Sequence, residues 1–160
     1  MALSKELIAR LREHFALDWH GDHGASHWAR VKKNGLLLAQ ETNADFEVIE
    51  LFAFVHDSCR VDEWEDPDHG PRAAEYAERL RFEKLFTLGD SQFLQLQSAC
   101  AGHTHETTIE DITIATCWDA DRLDLPRVGI TPDPRYMATD VGARLARGKF
   151  QEDLEVMPYE

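Results

Sequence analysis

The sequence lacks two features that would each direct it to a particular class of protein. No stretch approaches the ~18 consecutive apolar residues of a membrane-spanning helix, so we predict no membrane partner. The three cysteines, Cys59, Cys100 and Cys117, form no CxxC pair, and their odd number argues against a disulfide framework. A chain without structural disulfides suits a reducing compartment, and we therefore expect a cytoplasmic protein.

Basic residues are also scarce. The chain has 17 lysines and arginines against 30 aspartates and glutamates, which gives a formal net charge of −13. Binding to a nucleic-acid polymer requires a basic face, and the only short basic run is "RVKK" at 30–33, so no such polymer is predicted as a partner. A small phosphorylated ligand remains compatible with this charge, because a metal ion and a few arginines can offset the negative field locally.

The sequence is rich in helical periodicity instead. Its 43% apolar and 29% charged residues are typical of a globular protein, and its 160 residues fit one domain. The first 15 residues carry an amphipathic helical pattern rather than a secretory signal. Further helices are predicted to begin near 24–27, after a cap at Asp45, at Gly70-Pro71, after a cap at Asp90, and near 108 and 137. Asn34-Gly35 could interrupt the second of them.

Two carboxylates fall on apolar helix faces. Asp121 shares a face with Ile114, Cys117, Trp118 and Leu125, and Asp57 directly follows the apolar run "FAFVH". Two buried carboxylates on separate helices repel each other unless a positive centre lies between them. His27 and His56 supply nitrogens of the kind that such a centre needs. Imidazoles and carboxylates together suit Mn²⁺, Fe²⁺, Ni²⁺ or Zn²⁺ better than Ca²⁺.

The order of these residues resembles the HD-domain superfamily of metal-dependent phosphohydrolases. The resemblance spans about residues 20–130 and is carried by "HGASHWARV", the His56-Asp57 pair, "DHGPRAAEYA", "GHTHET" and "CWDADRLDL". It implies an all-α helical bundle of about six helices, formed by a single domain over 1–160, with the tail 127–160 packed on the core. It also implies a divalent ion held by His27, His56, Asp57 and Asp121. Asp121 matches the ligand of the family better than Asp119, in agreement with the helix-face argument.

The resemblance further implies hydrolysis of phosphate esters or anhydrides, often of nucleotides, by a water that the metal activates. Asp57, Arg60 and Glu63 are the candidate catalytic residues, with Asp66 as an alternative to Glu63. The candidate contacts to the substrate phosphate are Arg60, Arg72, Arg30, His69 and His103.

The number of metal ions stays open at this point. In two-metal members of the superfamily, extra histidines between the HD pair and the last aspartate bind a second ion, and His69 and His103 occupy comparable positions. The sequence lacks the longer signatures of the cyclic-dinucleotide phosphodiesterase branch. We therefore predict one divalent ion (Mn²⁺, Fe²⁺, Ni²⁺, Zn²⁺ or Mg²⁺), with a second ion at His69 and His103 as the alternative.

Other interpretations accompany this prediction. The same fold also occurs in di-iron oxygenases, and a non-catalytic metal- or nucleotide-binding module would use the same ligands. His23 precedes His27 by one helical turn, as in an HxxxH zinc pair, but its Gly-rich loop favours ordinary hydrogen bonding within the loop. Trp64 is a candidate lid in an acidic loop. The tail could cover the core or a partner subunit, which leaves a homo-oligomer open.

Overall fold

The computed structural model describes residues 2–156, with side chains up to residue 148. This part of the chain is all-α, as predicted, and contains no strand. Two short 3₁₀ helices, Leu125–Val128 and Pro134–Tyr136, lie before the last α-helix. The α-helices are α1 (Lys5–His14), α2 (Ala25–Thr42), α3 (Phe46–Val55), α4 (His69–Phe82), α5 (Asp90–Gly102), α6 (Ile112–Arg122) and α7 (Asp140–Val156).

Helix α3 lies at the centre of the bundle. It packs against α1, α2, α5 and α6, while α4 packs mainly against α5. Six of its ten residues are buried, which explains why its sequence is apolar on nearly every side. Such an all-round apolar helix is stable only inside a protein core. The two residues that follow its C-terminal end, His56 and Asp57, therefore lie in the protein interior.

Gly35 allows α2 to cross α3 closely. A Cβ atom at this position would lie 2.4 Å from Cγ2 of Ile49, so a larger residue would force the two helices apart. The Asn34 side chain donates to the Ala120 carbonyl at 3.1 Å and ties α2 to α6 as well. Helix α2 consequently runs without a break from residue 25 to 42, and Asn34-Gly35 does not interrupt it.

The helix starts follow capping residues. Asp45 caps α3 through the backbone N–H groups of Glu47 and Val48, which confirms the predicted cap. Helix α6 begins at Ile112, later than the predicted 108, because Asp111 provides the same cap there. The prediction that Asp90 caps α5 is wrong by one residue, since Asp90 is the first helical residue and Gly89 precedes it.

Asp119 connects the C-terminal segment to the core. Its fully buried carboxylate accepts hydrogen bonds from the backbone N–H groups of Ala138 and Thr139 and from the Thr139 hydroxyl. Gly142 packs directly on this carboxylate, because a Cβ there would overlap Asp119 Oδ2. The predicted helix near 137–147 accordingly begins at residue 140 and extends to 156. None of the helices in the described part of the chain is both long and apolar enough to cross a membrane.

Candidate metal centre

Three helices bring the predicted ligands together. His27 lies in the first turn of α2, His56 and Asp57 follow the last turn of α3, and Asp121 lies in the last turn of α6. His27 and His56 are fully buried, and Asp57 is 3% exposed. The cost of burying these polar groups requires that each be paired or bound to a cation.

The donor atoms of these four residues point at one another. From His27 Nε2, the distances are 3.1 Å to His56 Nε2, 3.2 Å to Asp121 Oδ1 and 3.4 Å to Asp57 Oδ2. From His56 Nε2, they are 3.5 Å to Asp121 Oδ1 and 3.6 Å to Asp57 Oδ2. Atoms bound to one ion at about 2.1 Å lie about 3.0 Å apart at right angles and about 3.4 Å apart in a tetrahedron. This spacing fits a first-row divalent ion.

Both imidazoles are oriented by partners on their far side. His27 Nδ1 lies 2.7 Å from Asp124 Oδ2, and His56 Nδ1 lies 3.0 Å from the carbonyl oxygens of both Phe52 and Ala53. Because these oxygens accept the Nδ1 proton, the Nε2 lone pair of each ring faces the centre. Asp124 was not predicted, although it follows Asp121 by three residues and so lies near the same end of α6.

The electrostatics of the cluster favour a cation. Burial lowers the pKa of His27, but hydrogen bonds to Asp121, Asp124 and Asp57 outweigh it and raise the pKa to about 10. Burial raises the pKa of Asp57 and Asp121, yet the neighbouring histidines hold both pKa values well below the usual range. The carboxylates therefore stay ionised and concentrate negative charge in a buried space, as a metal site requires.

A second group of donors adjoins the first. Asp57 Oδ1 lies 3.1 Å from His69 Nε2 and 3.5 Å from His103 Nε2, and the two histidine nitrogens are 2.9 Å apart. Backbone carbonyls again accept from the opposite ring nitrogens, Asp66 O from His69 and Cys100 O from His103. Asp57 thus presents one oxygen to each group. His56, His103 and Asp121 also lie close enough to share an ion, so the overlapping sets of donors could hold one ion or two. The predicted alternative of a second ion has a complete set of three donors.

A cavity of about 1080 Å³ opens above both groups. Its floor includes Asp57, Asp121, His69 and His103, so part of each donor group faces the space where a ligand would enter. Apolar side chains from the segment after α6 form one wall. The other lining residues that bear on function are Arg60, Glu63, Trp64, Arg122, Arg127, Leu125, Val128, Ile130 and Tyr136.

All three predicted catalytic residues, Asp57, Arg60 and Glu63, line this cavity. The Arg60 side chain reaches it from the loop after Asp57: its Nε donates to the Asp62 carbonyl at 3.0 Å, and its Nη1 lies 3.4 Å from His69 Nδ1. Glu63 lines the cavity as well, on the side of His23. Trp64 is 90% exposed at the same rim, a position open to the predicted role as a lid.

Arg30, Arg72 and Asp66 are not among the lining residues and are engaged with other groups. Arg30 Nε donates to Asp124 Oδ1 at 2.7 Å, behind His27. Arg72 Nη2 donates to both carboxylate oxygens of Asp66 at 2.6 Å. Direct contact of either arginine with a substrate stays a prediction and would require these ion pairs to open.

Arg122, Arg127 and His23 are among the cavity residues that were not predicted as part of the site. Arg122 Nη1 donates to the Tyr136 carbonyl at 3.0 Å, and Arg127 Nε donates to the Asp22 carbonyl at 2.9 Å, so both guanidinium groups are fixed at the wall. His23 Nδ1 lies 3.5 Å from Asp57 Oδ2. The spacing of His23 from His27 was its signal in the sequence, whereas its contacts with Asp57 and Glu63 join residues distant along the chain.

A solved structure shares this architecture. The chain is similar to a predicted HD superfamily hydrolase from an uncultured Thermotogales bacterium, known from its crystal structure, with 27% sequence identity and a TM-score of 0.73. The similarity covers 94% of this chain and 87% of the other. Neither the protein-family models nor the curated proteins produced a match.

Proposed function

We propose that this chain, which has the HD-domain fold, is a metal-dependent phosphohydrolase that cleaves a phosphate ester or anhydride of a small metabolite, with nucleotides as the first candidate class. The observation that carries the proposal is the convergence of His27, His56, Asp57 and Asp121 beside an open cavity: the two histidine nitrogens lie 3.1 Å apart, and each lies 3.2–3.6 Å from one oxygen of each aspartate. The similarity to a predicted HD superfamily hydrolase supports the same class of activity.

The donor set matches what hydrolysis of a phosphate needs. A divalent ion bound there would lower the pKa of a water and polarise a phosphoryl oxygen. Asp57 and Asp121 would offset the charge of the ion. The hydrogen bonds at Nδ1 of His27 and His56 would keep the Nε2 lone pairs of both rings directed at the ion. The centre would need no rearrangement of these side chains before the reaction, which is the condition for electrostatic stabilisation of a transition state.

The cavity wall supplies the positive charge that a phosphate requires. Arg60, Arg122 and Arg127 line it in a chain whose net charge is −13. Arg60 is the best placed for a bidentate contact, because it follows Asp57 by three residues and lies against His69. Glu63, which lines the cavity on the side of His23, would accept a hydrogen bond from the attacking water. The apolar wall at Leu125 and Val128 suits the organic part of the substrate.

Purified protein tests the proposal directly. Metal-free protein would be reloaded with Mn²⁺, Ni²⁺, Zn²⁺, Fe²⁺ or Mg²⁺ in turn and assayed with p-nitrophenyl phosphate and a panel of nucleoside mono-, di- and triphosphates. Phosphate release that requires a divalent ion and depends on the identity of the ion is expected. Release of no phosphate from any compound with any of the ions would overturn the proposal.

A di-iron oxygenase is the second candidate, and a specific observation favours it. Asp57 directs one oxygen to His27 and His56 and the other to His69 and His103, which is the arrangement of a carboxylate shared by two ions. Iron analysis separates the two functions. Two irons per chain, with O₂ consumption in the presence of an organic phosphate or phosphonate and without phosphatase activity, would favour the oxygenase.

A further inference from the structure

We infer that His23 is an additional catalytic residue whose Nδ1 accepts a hydrogen bond from the water that attacks the substrate. The inference rests on the proposed function and adds to it a residue outside both donor groups. It depends on three features of the structure: how the loop around His23 is held, which ring nitrogen of His23 carries the proton, and what the other nitrogen faces.

The loop before α2 holds His23 in a fixed position. The Trp28 indole N–H donates to the His23 carbonyl at 2.8 Å, and the Ala25 N–H donates to the Trp19 carbonyl at 2.8 Å. Gly24 makes this tight path possible, because a Cβ at this position would lie 2.2 Å from the Trp19 carbonyl oxygen. His23 is consequently only 8% exposed, although it lies in a loop.

The neighbour of Nε2 determines the tautomer of the ring. His23 Nε2 lies 3.1 Å from the Glu63 backbone carbonyl oxygen. A carbonyl oxygen can only accept a hydrogen bond, so Nε2 carries the proton in the neutral imidazole and Nδ1 carries the lone pair. His23 is therefore held by its outer nitrogen, and its inner nitrogen is left as an acceptor.

That inner nitrogen faces the metal centre without a partner. His23 Nδ1 is buried and has no hydrogen-bond partner among the described residues, and it lies 3.5 Å from Asp57 Oδ2. Two acceptors placed so close together repel each other unless a hydrogen-bond donor lies beside both. His23 also lines the cavity, so a water can reach this position. An unsatisfied buried nitrogen of this kind is destabilising, and a bound water that donates to it would remove this penalty.

His23 differs from the other histidines of the site in its orientation. His27, His56, His69 and His103 all use Nδ1 for an outer hydrogen bond and turn Nε2 inward. His23 does the reverse, and it belongs to none of the groups of donors close enough to share an ion. We therefore infer that His23 binds the attacking water and is not a ligand of the metal ion.

The matched variants are H23A, H23N and H20A. Asparagine can place an amide oxygen near the position of Nδ1, while His20 is an exposed histidine of the same loop and does not line the cavity. With p-nitrophenyl phosphate as substrate, kcat of H23A is expected to fall about 10²-fold, the usual contribution of such a group, with KM and metal content nearly unchanged. H23N should recover part of kcat, and H20A should match the wild-type protein.

Two results would overturn the inference: an unchanged kcat in H23A, or loss of the metal from H23A, which would make His23 part of the metal-binding set. Visible spectra of Co²⁺-loaded proteins keep the test independent of the proposed function. A water held by His23 should give H23A a changed Co²⁺ spectrum at full metal content, with H20A identical to wild type. If wild-type protein hydrolyses no phosphorylated compound, the proposed function fails, and these spectra still decide on His23: identical spectra for H23A and wild type reject it.

Discussion

The two donor groups of the centre share Asp57 but differ in charge and in support. The first, His27, His56, Asp57 and Asp121, contains two carboxylates, and a third, Asp124, backs His27. The second, Asp57, His69 and His103, has one shared carboxylate, and backbone carbonyls, not carboxylates, accept from the outer nitrogens of its histidines. Since ligand charge and outer hydrogen bonds raise affinity for a divalent ion, the first group should bind its ion more tightly.

Replacing the shared ligand should have the largest effect. In D57N the amide is a much weaker ligand toward both donor groups, so we expect loss of both ions and of all detectable activity. Inductively coupled plasma mass spectrometry of the purified variant measures this directly. The control is E41Q, which removes one negative charge from an exposed ion pair with Arg144 and should keep metal and activity. Full metal content in D57N would refute the shared role of Asp57.

Replacing Asp121 should separate the two groups. D121A removes a carboxylate of the first group, which also lies close to His103 of the second, so the tightly bound ion and the activity should both be lost. Loss of the ion in D121A would also distinguish a metal ligand from a buried carboxylate with a purely structural role. Equilibrium dialysis with a divalent ion measures the loss, and circular dichroism verifies that the helices persist. A fully active D121A protein loaded with metal would discard the assignment of the first group.

Replacing a ligand of the second group should affect one ion only. In H69A the second group keeps only Asp57 and His103, so the number of bound ions should fall by one if two are bound in wild-type protein. The first ion should remain, because His69 does not belong to its ligands. Metal content after gel filtration, compared between H69A and wild type, checks this. An unchanged stoichiometry of one ion in both proteins would show that the second group holds no metal.

Replacing Asp124, which lies behind His27 of the first group, should have a smaller effect on metal binding. In D124N the acceptor for His27 Nδ1 loses its charge, and affinity for the ion should fall about 10- to 100-fold, which is typical for such outer partners. R30Q should weaken binding less, because Arg30 acts only through Asp124. Competition with a chelating dye measures both constants. Equal affinities for the ion in D124N and wild-type protein would show that metal binding by His27 does not depend on the charge of this carboxylate.

The smallest effect is expected at the cavity wall. R60A should raise KM or lower kcat for a phosphorylated substrate about tenfold at full metal content, as expected when one charge-assisted contact of ~1.5 kcal/mol, the lower end of the usual range, is lost. R127A provides a comparison, since Arg127 lines the same cavity but is bound to the Asp22 carbonyl. Steady-state kinetics with p-nitrophenyl phosphate compares KM and kcat of R60A with those of R127A. Loss of metal from R60A would contradict a role confined to the substrate.

Much of the helical framework could be predicted because it depends on local periodicity, and periodicity together with the family resemblance indicated which donor residues would lie close together. The family resemblance and the helix face both favoured Asp121 over Asp119, and in the structure Asp121 lies beside His27 while Asp119 binds the C-terminal segment. The prediction of Asp90 as a cap was wrong by one residue, because Gly89 can occupy that position without a side chain.

The amino-acid sequence by itself determined the all-α fold and which polar side chains would end on apolar faces, because helix periodicity links residues three and four positions apart. Only the tertiary structure decided which groups meet across long separations. His27 and Arg30 are paired with Asp124 by helix packing, and His23 is held beside Asp57 by one tight loop. Those contacts depend on three-dimensional geometry that no spacing along the chain encodes, and they determine which arginines face the cavity and which histidine nitrogens face the centre.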